Sequence, residues 1–326
     1  MYMIKKYSIA ILGATGLVGR TILQILDEID FPMYQLKLFA SEKSNGIVID
    51  YRGKAYTVKA VEKGCFEFVD YALFSAGAEA SRTHVHQATR EGAVVIDSSS
   101  AFRNYDSFPL VVPEVNLKDA IGCGLISNPN STTIQTVIPL YALDKRFKAL
   151  EVTYNTYQSI SASGIRGLEA YQGDNQIYPY NIKETCIPQV GQFLEDGYTT
   201  EEINMIQETK KILHNEDLLV SATCIRVPVE YSNGVHIRVK LEKDFTLEEI
   251  RKTLKKQKGL VILDDITKMK YPVSTVATGS DKVYVGRIRR DKIDKNTLLM
   301  YSVADNLRKG AAINTIEIMN GLIAHS

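Results

Sequence analysis

The chain has little cysteine, no imbalance of charge and no long apolar run, and each shortage closes off a class of function. Its four cysteines, Cys65, Cys123, Cys186 and Cys224, form no CxxC pair and show no Cys/His ligand spacing. A zinc site is therefore not expected, and no disulfide framework is suggested. Lys and Arg total 39 against 38 Asp and Glu, a net charge of +1. Such a balance gives no global attraction to nucleic acid or to a membrane surface. The basic run at 251–258 reads as the solvated face of a helix, because Leu247, Ile250 and Leu254 recur beside it at helical spacing. No apolar stretch approaches transmembrane length, and the one before Gly13 is too short for a signal peptide. These features point to a cytosolic protein.

What is present is ordinary for a globular chain: 326 residues, 45% hydrophobic and 24% charged, enough for two domains. The apolar run at 7–12 stops at glycine and gives way to Leu17, Val18, Ile22, Leu23, Ile25 and Leu26 at helical spacing. Strand candidates follow at 35–40, 71–75 and 93–96, with a helical stretch at 79–90. That alternation predicts a doubly wound parallel sheet. Beyond about Asn130 the texture changes. A strand is predicted at 149–159 and a turn-rich stretch at 173–189. The capping box at Thr199 and Glu202 opens a helix. Two strands, 222–229 and 235–241, are joined across 231–234, and a last helix spans 304–323. There is no internal repeat.

Gly13, Ala14, Thr15, Gly16, Leu17, Val18 and Gly19 have the form G-x-x-G-x-x-G at the first strand-to-helix junction. Glycines there let the backbone turn tightly and approach a pyrophosphate at the positive end of a helix. A βα turn without ligand is the bland alternative; the flanking strand and helix favour a dinucleotide site. After the second strand stand Ser41, Glu42, Lys43 and Ser44. Hydroxyls and one cation suit the 2′-phosphate of NADP better than the ribose of NAD, although Glu42 leaves room for NAD. Ser75, Ala76 and Gly77, after the 71–75 strand, complete the expected cofactor-binding set.

Stretches spread over nearly the whole chain resemble the aspartate-semialdehyde dehydrogenase family. They are the glycine loop, IDSSSAFR at 96–103, VPEVN at 112–116, SNPNSTTIQ at 127–135, YQSIS at 157–161, VSATCIRVPV at 220–229, VGRIR at 285–289 and DNLRKGAA at 305–312. The resemblance implies a Rossmann-type domain at 1–131, completed by a C-terminal helix at 304–326. It further implies an α+β catalytic and dimerisation domain with a mixed sheet at 132–303, dimers or tetramers, and an aspartate-type substrate. Members reduce β-aspartyl phosphate with NADPH through a cysteine thioester, with a histidine moving the proton. By match to the family pattern, Arg103 contacts phosphate, Asn130 flanks the nucleophile, Gln158 lies beside the reacting carbonyl, and Glu201 and Arg226 hold the amino and α-carboxylate groups. Glu201 and Arg226 also have structural readings, as a helix-dipole acid and as the partner of a nearby carboxylate.

Three positions depart from the pattern. Ser131 stands where the family has cysteine, Asn233 where it has histidine seven residues after Arg226, and Asn204 where it has lysine three residues after Glu201. A serine hydroxyl without a neighbouring base is a weak nucleophile, and an amide accepts no proton at neutral pH. Cys224, in a strand, reads as a buried core thiol, and His236, alternating with Arg238 and Lys240, as a residue of the polar strand face. The family's ordinary reaction is thus expected to be lost or very weak. Either altered NADP-dependent chemistry remains, or the chain is a silent paralog that binds nucleotide or metabolite, or pairs with an active homologue.

Overall fold

The computed structural model describes residues 5–173 and 176–325. The chain divides into two compact units, one running to Pro129 and resuming at Ala311, the other spanning Asn130–Gly310.

In the first unit β1 (Tyr7–Leu12), β2 (Met33–Phe39), β5 (Tyr71–Phe74), β6 (Val94–Asp97) and β7 (Leu125–Ser127) form an all-parallel sheet in the order β2-β1-β5-β6-β7. Every residue of β1 is buried because both sheet faces are covered, which is why it reads as an unbroken apolar run. Ile9 and Ile11 pack with Ile22, Ile25 and Leu26 of α1 (Leu17–Glu28). Ala10 and Leu12 face the other way, toward Val85 and Ala88 of α2 (Ala78–Arg90). Each fully buried Ile, Leu or Val among them contributes about 1.5–3 kcal/mol. A hairpin of β3 (Val48–Tyr51) and β4 (Lys54–Thr57) turns on Arg52 and Gly53, both at positive φ. The sequence reading missed it. Short α3 (Pro113–Asn116) precedes β7, and α9 (Ile313–Ala324) closes the unit by packing Ile316 and Met319 into the cluster of α1.

The second unit has a mixed sheet in the order β11-β12-β13-β10-β8-β9. Its strands are β8 (Ala149–Gln158), β9 (Leu219–Arg226), β10 (Asn233–Leu241), β11 (Leu260–Ile262), β12 (Val283–Arg290) and β13 (Thr297–Ala304). The strands β8 and β9 are parallel, whereas β10 is antiparallel to both β8 and β13. The segment after β9 therefore crosses β8 and makes no hairpin. Helices α4 (Ser131–Phe147), α6 (Thr200–Leu213) and α7 (Leu247–Lys256) pack on the sheet, with short α5 (Gly164–Gln172) after β8 and α8 (Ser274–Ala277) against β13. Twelve of the 17 residues of α4 are buried, so it lacks the long polar stripe of a surface helix. Capping boxes at Thr199 and Thr246 start α6 and α7.

Two boundaries differ from the sequence reading. Asn130 and Ser131 belong to the second unit, because Asn130 caps α4 and bonds to Glu201 and Glu208 of α6. The last helix does not begin at Ala304, which is still paired with Asn233 in the sheet. Asp305 Oδ1 then accepts from the amides of Leu307 and Arg308, a π-turn spans Arg308–Ala312, and the α-helix starts at Ile313. Among the described residues no helix is long and apolar enough to cross a membrane.

Candidate active site

In the first unit the glycine loop lies where strand order reverses, with β1 between β2 and β5. Ligands of open parallel sheets bind outside the carboxyl ends of the strands at such a point. Gly13 has φ +89°, and a Cβ there would lie 2.8 Å from the carbonyl carbon and oxygen of Ser75, so the loops after β1 and β5 touch backbone to backbone. A Cβ on Gly19 would lie 2.2 Å from the Gly13 carbonyl oxygen. Gly16 is the N-cap of α1, with no side-chain cap and no acid in the first turn, so the helix end is left to an external anion. These features fit a dinucleotide pyrophosphate. Ala14, Thr15, Leu17 and Val18 line the turn, and Gly77, at φ +87°, opens α2 just after Ala76.

The specificity loop approaches the same turn. Ser44 Oγ lies 3.5 Å from Thr15 Oγ1, while Ser41 and Lys43 are exposed beside it. Arg20 Nε donates to the Thr15 carbonyl at 3.2 Å, adding a cation that the sequence reading passed over. Its only signal was a basic residue directly after Gly19. Arg103, also in this unit, is buried and donates to the carbonyls of Ser98 (2.8 Å) and Asn128 (3.0 Å).

In the second unit the topology itself assembles a polar cluster. Gln158 ends β8 and Arg226 ends β9, and the two are partners in register. Glu201, in the first turn of α6, accepts from Gln158 Nε2 at 2.9 Å and from Asn130 Nδ2 at 2.8 Å. One carboxylate is thus held between two amides. Arg226 gives Nη1 to the Ser159 carbonyl at 2.6 Å, while its Nε is buried with no partner among the described residues. Burial pushes its guanidinium down from its ordinary pKa, opposed by Tyr178, Glu201 and Cys224. A buried donor without a partner is costly and marks a place for an acceptor. Asn204 sits one turn along α6 from Glu201 and is half-buried.

Ser131 is the first residue of α4. Asn130 Oδ1 accepts from the Thr132 amide at 2.9 Å as N-cap, and Glu208 accepts from the Asn130 amide at 2.8 Å. Replacing Asn130 with Ala removes the cap and the hold on Glu201, and is expected to destabilise the protein by about 1–2 kcal/mol in urea denaturation. Asn233 Nδ2 donates to Ser131 Oγ at 3.2 Å. The amide cannot be turned round, because Asn233 Oδ1 accepts from the Ser159 amide at 2.8 Å and lies 3.0 Å from the Ser159 hydroxyl. The group facing the Ser131 hydroxyl is therefore a donor.

Among the described residues, neither Cys224, Cys123 nor His236 is placed beside Ser131 as a thiol or base. Burial pushes the Cys224 thiol strongly up, and the charge of Glu201 raises it further. Cys123 is in the first unit, where its thiol faces the Asp119 carbonyl and packs into the cluster with α1 and α9. His236 lies three residues from Asn233 on β10 and so points to the opposite sheet face. It is half-buried against Asn155, less solvated than the sequence suggested, and burial and Arg289 lower its pKa. Missed by the sequence reading were Ser159, Ser161 and Asn306, which form a buried network around Asn233: Asn306 Oδ1 accepts from the Ser232 amide at 2.9 Å and its Nδ2 donates to Ser161 Oγ at 3.0 Å. Ser159 and Ser161 lie in one family-like stretch and Asn306 in another; only the fold joins them.

Residues 8–122 match the model of the semialdehyde dehydrogenase NAD binding domain, and residues 140–309 that of the dimerisation domain. Aspartate-semialdehyde dehydrogenase of Aquifex aeolicus is 42% identical over 97% of this chain and 98% of its own length. Aspartate semialdehyde dehydrogenase II of Vibrio cholerae, in a crystal structure complexed with ASA, superposes with a TM-score of 0.94 at 36% identity, covering 98% of this chain and 99% of that one. A relative from Candida albicans, solved with NADP, shares the fold at 21% identity and a TM-score of 0.78, over 98% and 99% of the two chains. This chain belongs to the aspartate-semialdehyde dehydrogenase family.

Proposed function

We propose that this family member binds NADP and an aspartate-type amino acid but has lost, or nearly lost, reduction of β-aspartyl phosphate through a covalent intermediate. The observation that carries this reading is the direction of the bond between Asn233 and Ser131. A hydroxyl becomes a nucleophile when a neighbour takes its proton. Here the neighbour instead donates a hydrogen bond to the hydroxyl, and its one side-chain acceptor is occupied by Ser159. An acyl group on Ser131 would moreover be an oxygen ester, less readily cleaved than a thioester.

The retained parts divide by role. The turn from Gly13 to Gly19, with Ser75, Ala76 and Gly77, would hold the pyrophosphate, and Ser41, Lys43, Ser44 and Arg20 the 2′-phosphate. NADPH, when bound, supplies a hydride. Glu201, presented by Gln158 and Asn130, suits the substrate ammonium, and the unpartnered Nε of Arg226 suits the α-carboxylate. In the second unit the phosphate end is the weakened one, because Asn204 carries no charge. The match to a dimerisation domain supports a homo-oligomer.

Calorimetric titration tests the binding part. NADPH is expected to bind at least about tenfold more tightly than NADH, since a charge-assisted hydrogen bond to the 2′-phosphate is worth roughly 1.5–3 kcal/mol. Heat from L-aspartate is expected as well. No uptake of either nucleotide, or of the amino acid, would refute the corresponding half of the reading.

A further inference from the structure

Ser131 Oγ accepts a hydrogen bond from Asn233 and has a hydroxyl hydrogen of its own to donate. Asn233 is itself held by the Ser159 amide, and Ser159 is packed against Ser161 and Asn306. Ser159, Ser161, Ser232, Asn233 and Asn306 are all buried, so water does not compete for these bonds. The hydroxyl proton of Ser131 is therefore directed away from Asn233. It emerges at the N-terminus of α4, a helix of 17 residues with no acid in its first turn. The helix end is already capped by Asn130, with Glu208 on the Asn130 amide, so it is the hydroxyl that calls for an acceptor oxygen.

We propose that Ser131 is a fixed hydrogen-bond donor to the side-chain oxygen of a small amino acid, making the second unit a reversible receptor for acidic or amide amino acids of aspartate size. This rests on the proposed seating of the ammonium on Glu201 and the α-carboxylate on Arg226. The independent sign of a ligand is the Arg226 Nε, buried and unpartnered. L-Aspartate matches the three features in kind: an ammonium for the carboxylate held between two amides, one carboxylate for the guanidinium, and a second for the hydroxyl at the helix end. No bond to carbon forms or breaks on Ser131. Asn233 is a positioning residue that sets the direction in which the hydroxyl donates.

The full-length protein is titrated calorimetrically with L-aspartate, L-asparagine and L-2-aminobutyrate, the last keeping the amino-acid head but carrying a methyl group in place of the acceptor. Aspartate and asparagine are expected to bind roughly tenfold or more tightly than 2-aminobutyrate, the worth of one good hydrogen bond to a buried partner. Ser131→Ala should bring the ratio close to one by weakening only the first two ligands. Ser131→Cys, whose thiol is a weak donor, should do the same while filling the space. Equal affinities in the unmodified protein, or an unchanged ratio in both variants, would overturn the role of Ser131 while leaving the head-group site in place. Binding of none of the three would overturn the Glu201 and Arg226 seating, and the receptor with it.

Discussion

A Ser131→Cys/Asn233→His double variant should perform acyl transfer at least about 100-fold faster than either single replacement, the usual worth of a positioned general base. The thiol alone would meet the Asn233 amide, which offers a proton and takes none. The imidazole alone would face a hydroxyl whose ester is slow to leave. Nucleophile and base act as a unit, so the two gains should be far from additive. The improvement should appear in kcat more than in KM for phosphate, because Asn204 brings no positive charge to the site. Two readouts are informative: the rate of iodoacetamide labelling of the introduced thiol against pH, and NADP-linked turnover of aspartate semialdehyde. In the double variant the labelling rate should rise through the pH range of an imidazole. If the single Ser131→Cys variant already matched the double, the direction of the Asn233 amide would not be the deciding defect.

The second large effect concerns the nucleotide loop. Gly19→Ala should destabilise the protein by about 3 kcal/mol and abolish NADPH binding, because the added carbon would lie 2.2 Å from the Gly13 carbonyl oxygen and 2.9 Å from Ala14 Cα. Both neighbours are backbone atoms, so the loop must move. Gly16→Ala is the control. Its Cβ would sit 3.4 Å from the same oxygen, at a φ of −76° open to any residue, so a loss within about 1 kcal/mol is expected. Urea denaturation followed by calorimetry separates the two. Equal losses would mean that the close packing of Gly19 on the Gly13 carbonyl has no energetic consequence.

Much of this architecture is legible in the sequence where the reasons are local. The strand and helix around Gly13 show themselves by period and punctuation, and the burial of Val235, Ile237 and Val239 follows their alternation with His236, Arg238 and Lys240. The hairpin at Arg52 and Gly53 escaped because an arginine holds a positive-φ position where asparagine would announce the turn. The start of the last helix was misplaced because a pairing with β10, far away in sequence, keeps Ala304 in the sheet. The site divides in the same way. The expectation that Ser131, Asn233 and Asn204 depart from the family pattern comes from the letters alone. That Asn233 presents its nitrogen, and not its oxygen, to Ser131 depends on the Ser159 amide, which only the folded sheet brings near. Residue type alone suggests the departures; the direction of the Asn233 amide is the observation on which the proposed loss of covalent chemistry rests.

The central claim is tested most directly by mixing the unmodified protein with NADP, aspartate semialdehyde and phosphate and following NADPH absorbance. The proposed loss of covalent chemistry predicts no formation, or a trace at most, above the rate without protein. Turnover on the order of 10 per second, ordinary for enzymes, would contradict the reading of Ser131 and Asn233.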